Sequence, residues 1–407
     1  MVNSPNTLRI VYLFVYAASA SWYPFFSVFL KDRGLSGTQI GLVFSMVPLM
    51  MLLALPVWGM AADQFGRKRV MLFLVSAVAI SAPGFTMMND FMSFLLWTAF
   101  FSVVYNPIAP LVDSLALDHV AANRNTSFGR LRIWGSVGWG VATPLVGWFV
   151  TGKDTGLVFV IAAALMAVSF LIGFMARNGF GHTPVLRLSR WDLLSVLRNK
   201  PLFIFLGLIV CIAVGRIAMW NFYSVYLRDI GANNQLIGMA FGIQAASELP
   251  VLFFAGAIIA RAGLHKVMVC TLAAMAVRMT AYTFISNPVW ALVIDISHGL
   301  TFGLFLVACV EFVNTLVPQN LRATGQALFW AGHFGAGAIL GNTMAGVLCD
   351  MMGVKQMYLV CAGIITFGMF ATFFWSRSGS VRSEIEGCMA VNCHAQIWQT
   401  SHNDARK

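Results

Sequence analysis

Asp113, Arg132, Arg216, Glu248, Arg278, Asp295, His298, Glu311 and His333 all fall within long apolar runs of the chain. An ionised side chain at the centre of a bilayer costs from about 3 to more than 10 kcal/mol, so these are the first residues to ask for chemistry. Acids, arginines and histidines in this mixture neutralise one another in pairs, and an acid or histidine left over is free to load and release a proton. Asp113 and Arg132 flank the polar stretch 118–127, so an antiparallel hairpin brings them to similar depth, where they form either an ion pair with a function or a lock between two helices. Asp295 and His298, three residues apart, share a helix face, and one then sets the proton affinity of the other.

The elements that hold these residues follow from composition. The 407 residues are 59% hydrophobic and only 10% charged, against about 25% charged in soluble domains, which makes this a polytopic all-α membrane protein. Twelve apolar runs of spanning length lie between residues 8 and 376, and the first reads as an uncleaved helix. The net charge of +11 is scattered over short loops instead of forming a patch, so topology accounts for it and nucleic acid does not. The seven cysteines are odd in number, and Cys211, Cys270, Cys309, Cys349 and Cys361 lie in apolar runs, so no disulfide framework is implied. Cys388, Cys393, His394 and His402 match no zinc spacing.

Gly59 to Arg69 reads Gly-Met-Ala-Ala-Asp-Gln-Phe-Gly-Arg-Lys-Arg. Arg67, Lys68 and Arg69 must face water, and the positive-inside bias puts their turn in the cytoplasm, while Lys31, Arg33, Lys153, Arg228 and Lys355 fall outside. Gly59 and Gly66 are expected to let helix ends approach, and Asp63 to hold a helix terminus or pair with a cation on another helix. Phe25 to Gly34 aligns with Phe222 to Gly231 at an offset of 197 residues, and the same offset places Gly59 on Gly256, Gly66 on Gly263 and Val70-Met71 on Val267-Met268. The chain is therefore a doubled bundle. Residues 1–176 and 200–376 form pseudo-symmetric six-helix halves, 177–199 a cytoplasmic linker and 377–407 a cytoplasmic tail.

The hinge fits the pattern G-x-x-x-D-x-x-G-R-K-R and resembles the loop signature of the major facilitator superfamily. Phe128-Gly-Arg-Leu-Arg-Ile-Trp-Gly-Ser-Val-Gly-Trp139 resembles the fifth helix of the lactose permease and of the phenylpropionate permease family. That resemblance implies a substrate site containing Arg132, Trp139 and, approximately, Asp113. Ser297-His-Gly-Leu-Thr-Phe-Gly303 and Val277-Arg278 are similar to the proton-coupling helices of the same relatives, which implies coupling roles for His298 and Arg278. The chain departs from the pattern at Thr301, where the lactose permease has its proton-carrying Glu. Asp295, Glu311 or Glu248, the last within Ser-Glu-Leu-Pro250, are the possible replacements.

The resemblance implies the major facilitator fold and a secondary transporter in the cell (inner) membrane with both termini cytoplasmic. Its partners are a small organic solute, a proton and the lipid bilayer; no cofactor, metal or nucleic acid is implied, and the reading is of a monomer. An aromatic carboxylate fits because Arg132, Arg216 or Arg278 would hold the anion while aromatics hold a ring. A sugar or nucleoside symporter, an exporter, and a nontransporting sensor or scaffold are the alternatives. No nucleophile motif, metal cluster or phosphate loop points to an enzyme. Trp22-Tyr23 and Trp220-Phe222 are expected in the interfacial belts, with stacking on an aromatic solute as the second reading. Gly135, Gly138 and Gly140, with Gly332, Gly335, Gly337 and Gly341, supply small faces for helix packing.

Overall fold

The computed structural model describes residues 5–122, 126–175 and 199–377; the predicted linker, apart from Asn199, and the tail beyond Arg377, with its cysteines and histidines, lie outside the described residues. Among the described residues, eleven helices are long and apolar enough to cross a membrane. In chain order the spans are α1 (Pro5–Asp32), α2 (Gly37–Phe65), α3 (Arg67–Met87), α4 (Phe91–Ala122), α5 (Phe128–Val150), α6 (Leu157–Met175), α7 (Lys200–Asp229), α8 (Asn234–Ala262) and α9 (Leu264–Phe284). They continue with α10 (288–316), α11 (322–352) and α12 (Val354–Arg377). Helix α11 is the twelfth span: a π-helical turn at Ala331–Ala336 divides it into Arg322–Trp330 and Gly337–Met352, each too short to cross alone. A second π turn, Gly299–Gly303, interrupts α10.

Local chemistry sets the helix ends. Ser36 and Gln39 form a capping box at the start of α2, and Asp90 and Ser93 form one at the start of α4. The Ser93 amide holds the Asp90 carboxyl below the usual carboxylate range. Between α2 and α3, Gly66 adopts φ +93°, and Gly263 adopts φ +85° between α8 and α9. Only glycine takes this conformation at no cost, which is why the repeat keeps it at both hinges. The offset of 197 residues carries Gly37–Phe65 onto Asn234–Ala262 and Arg67–Met87 onto Leu264–Phe284, end on end.

In the first half α1 packs on α5 and α6, and α3 on α6; in the second, α7 packs on α11 and α12, and α9 on α12. Lipid tails are as apolar as leucine, so close packing and buried hydrogen bonds must hold these bundles together. Trp22 shows the packing. It is 2% exposed and sits against Tyr23, Phe26, Phe101 and Tyr105 with ring centroids 5.2–5.4 Å away, inside the bundle and not in an interfacial belt.

The two halves meet through α5 against α8 and α2 against α11. At one end they touch through backbone: a Cβ on Gly41 would lie 2.3 Å from the Asn342 carbonyl oxygen, and one on Gly238 would lie 2.3 Å from that of Thr143. The same end is tied by Lys31 with Asp229 and by the Asp350 carboxylate, which accepts from the Gly37 and Thr38 amides at 2.6 and 2.7 Å and from Thr38 Oγ1 at 2.6 Å. At the opposite end, Gly59, Gly256 and Gly263 have open space where a Cβ would go. The expected close approach at Gly59 is therefore not made. Asp63 is exposed and pairs with no cation among the described residues; Asp118 of α4 takes that role, facing Arg67 Nη1 at 2.6 Å. Lys68 and Arg69 lie beside it in the first turn of α3.

Candidate functional site

Two adjacent chambers lie between the halves. The larger, about 330 Å³, is lined from the first half by Tyr23, Phe44, Tyr105 and Asn106 and from the second by Arg216, Trp220, Asn221, Phe302, Phe334 and Asn342, among others. The smaller, about 180 Å³, contains Tyr16, Arg132, Trp139, Glu248 and His298. Trp220 and Phe302 line both and form the wall between them. Tyr23 and Trp220, expected in membrane-interface belts, thus face the chambers because helix phase turns them inward; Phe222 is buried in the second bundle.

Arg216 on α7 is the charge in the larger chamber. Its Nε donates to His333 Nε2 at 3.0 Å, and its guanidinium lies 4.5 Å from the Phe302 ring centre and 5.4 Å from that of Phe334. Both rings and His333 belong to the π turns of α10 and α11, so the two irregular turns converge on one cation. Among the described residues, no carboxylate forms an ion pair with Arg216, and its terminal nitrogens have no hydrogen-bond partner. Around it, Tyr23 Oη donates to Asn221 Oδ1 at 3.0 Å, and Asn221 Nδ2 donates to Asn342 Oδ1 at 2.7 Å.

Arg278, Asp295 and His298 form a dense network behind the smaller chamber. Asp295 accepts from Gln244 Nε2 and Tyr223 Oη at 2.5 Å each, from Tyr282 Oη at 2.7 Å and from Arg278 Nη2 at 3.0 Å. Arg278 Nη1 donates to His298 Nδ1 at 2.7 Å and to Thr301 Oγ1 at 3.1 Å. Thr301 therefore serves Arg278 as an acceptor, at the position where the chain departs from the permease pattern. Asp295 is fully buried. Glu248 Oε1 lies 3.0 Å from His298 Nε2, off the axis of a formed hydrogen bond, and its side chain is 29% exposed.

Asp113 and Arg132 come together across the α4–α5 hairpin at 3.5 Å, each about a third exposed at 34% and 36%. Tyr12 Oη donates to Asp113 Oδ1 at 2.7 Å, and the Arg132 guanidinium stacks 4.3 Å from the Tyr16 ring centre. Trp139 lines the smaller chamber, 6.5 Å from Tyr23 by ring centroid. Glu311 lines neither chamber and is exposed on α10. Sequence reasoning missed Tyr223, Gln244 and Tyr282, and also Asn106, Asn221 and Asn342. Amides inside apolar runs are as conspicuous as charges, and that signal was available for the asparagines.

Two pseudo-symmetric helical bundles enclosing a lined chamber between them define a membrane transporter of the major facilitator type. The description of the MFS_1 like family matches residues 6–360, and the chain belongs to that family. It is 28% identical to the maltose permease of Geobacillus stearothermophilus over 86% of this chain and 88% of that one, and 24% identical to the raffinose permease of Escherichia coli over 93% and 94%. A crystal structure of the nucleoside transporter NupG superposes with a TM-score of 0.81 at 20% identity, covering 92% of this chain and 99% of that one. The protein is thus a multi-pass secondary transporter of small solutes and not an enzyme.

Proposed function

We propose that the protein is a proton-driven symporter for small aromatic carboxylates. It works as a monomer in the cell membrane, by rocking residues 1–176 against residues 200–376 about the chambers between them. The observation that carries the substrate reading is Arg216: a guanidinium that forms no ion pair with a carboxylate among the described residues, set among aromatic rings in a chamber of about 330 Å³. A planar fork matches a carboxylate, and the rings match an aromatic body. With the Arg67-Lys68-Arg69 hinge in the cytoplasm, both termini are cytoplasmic. The end closed by Gly41 and Gly238 then faces outward, and the solute path opens inward.

A second reading, a sugar or nucleoside symporter, is favoured by the amides of Asn106, Asn221 and Asn342 on the same chamber wall and by the names of the relatives. Uptake of labelled 3-phenylpropionate, maltose and uridine by proteoliposomes with an imposed pH gradient separates the two. Gradient-driven accumulation of the acid is expected. Arg216→Gln should weaken its binding about 10- to 100-fold, the worth of a hydrogen bond to a charged group at about 1.5–3 kcal/mol. Accumulation of maltose or uridine with none of the acid would refute the anion reading. Undiminished uptake by both Asp113→Asn and Arg132→Ala would remove that pair from the site.

A further inference from the structure

We propose that the solute's ring carries a hydroxyl on the side opposite its acid chain, and that Tyr23, Asn221 and Asn342 read it; the proposal rests on the aromatic-carboxylate reading above. The observation behind it is a hydrogen-bond chain with two open ends. Tyr23 Oη donates to Asn221 Oδ1 at 3.0 Å, and Asn221 Nδ2 donates to Asn342 Oδ1 at 2.7 Å. Among the described residues, Asn342 Nδ2 has no acceptor and Tyr23 Oη receives from no donor. One end of the chain therefore offers a donor and the other an acceptor.

This holds whichever way the amides face. Turning both over reverses each bond: Asn342 then donates to Asn221, Asn221 donates to Tyr23, and the open ends become Asn342 Oδ1 and the Tyr23 O–H. A hydroxyl donates and accepts, so it serves either end in either direction. A carbonyl, which only accepts, serves one end, and a ring hydrogen serves neither. All three residues line the larger chamber. A bare ring bound there would desolvate the open ends and supply no partner, so the chamber favours a solute that brings the hydroxyl.

The chain lies where the far side of a ring would fall. Arg216 and Asn221 are five residues apart on the uninterrupted α7, a separation of about 7.5 Å along the helix axis at about 1.5 Å per residue. Ile217 and Trp220 line the chamber between them in sequence, with Phe44 and Phe302 also on its wall. Cation, apolar wall and amide chain thus match acid group, ring and hydroxyl in that order. Tyr23 belongs to the first half and Asn221 and Asn342 to the second, so the hydroxyl is held from both sides of the gap.

Calorimetric titration of the purified full chain tests this with three probes: 3-(4-hydroxyphenyl)propionate, its 4-methyl analogue, which matches it in size without the hydrogen bonds, and 3-phenylpropionate. The wild type is expected to bind the hydroxylated acid about tenfold more tightly than the other two, the worth of one or two added hydrogen bonds. Tyr23→Phe, Asn221→Leu and Asn342→Leu together replace the chain by apolar groups of similar shape and should bring the three affinities within about threefold of one another. Arg216→Gln should weaken all three by one factor and keep the preference, which separates the two ends of the solute. Equal binding of the hydroxylated and methyl probes by the wild type would overturn the proposal and leave the carboxylate reading standing, as would a preference that survives in the triple variant. Loss of all probe binding in the folded triple variant would make the chain part of the general hold on the solute and also overturn it. Should the triple variant fail to fold, Asn342→Leu decides, because removing one open end must cut the preference at least about threefold. If the wild type binds no aromatic acid, the substrate reading falls first and this one with it.

Discussion

Replacing Asp295 by Asn should expose how much of the second bundle depends on one buried charge. Asp295 receives four hydrogen bonds in a site that is 0% exposed, and it is the ion-pair partner of Arg278 at 3.0 Å. Asparagine keeps an acceptor oxygen but puts an amide donor where Arg278 and Gln244 donate, and it leaves the Arg278 cation without its counter-charge. Breaking one side of a buried pair costs about 3–5 kcal/mol, so either Asp295→Asn or Arg278→Gln alone should destabilise by that order. The double variant removes both charges at once and should cost less than the sum by at least about 2 kcal/mol. Equilibrium unfolding in mixed detergent micelles measures all four states of the cycle. Additivity within about 0.5 kcal/mol would show that the two charges do not support each other and would refute the reasoning.

The closed end offers two further tests. Gly238→Leu must displace the Thr143 backbone, which a Cβ would meet at 2.3 Å, so overpacking of about 1–3 kcal/mol should shift the population toward opening at that end. Spin-label distances between α5 and α8 read the shift, and an unchanged distribution would contradict it. Asp350→Asn removes the negative charge held by the α2 N-terminus and should open the same end by about 1 kcal/mol, visible as faster labelling of a cysteine placed at the buried Ser45 of α2. Labelling at the wild-type rate would count against that latch.

Hydropathy and the offset of 197 residues made the doubled bundle legible, because lipid imposes helices and repetition fixes their pairing. The Asp113–Arg132 contact was also legible, since the short loop 118–127 leaves little choice of depth. What was hidden depends on helix phase. Glu311 and Glu248 look equivalent as acids in apolar runs, yet one points away from the chambers and the other into the smaller one. The π turns were equally hidden, because Gly299–Gly303 and Ala331–Ala336 carry no residue type that demands an extra backbone position. Tyr223 and Tyr282 read as ordinary aromatics until the fold aims their hydroxyls at Asp295.

Those π turns also bear on how the second bundle moves. A single residue inserted into a helical register rotates everything beyond it by about 100°, and relocating the insertion by one turn exchanges few backbone hydrogen bonds. Phe302, His333 and Phe334 ride on such insertions, while Arg216 is fixed on the uninterrupted α7. The aromatic bracket can therefore swivel around a stationary cation. For the aromatic acid proposed as solute, the grip on the ring would then release separately from the grip on the acid group.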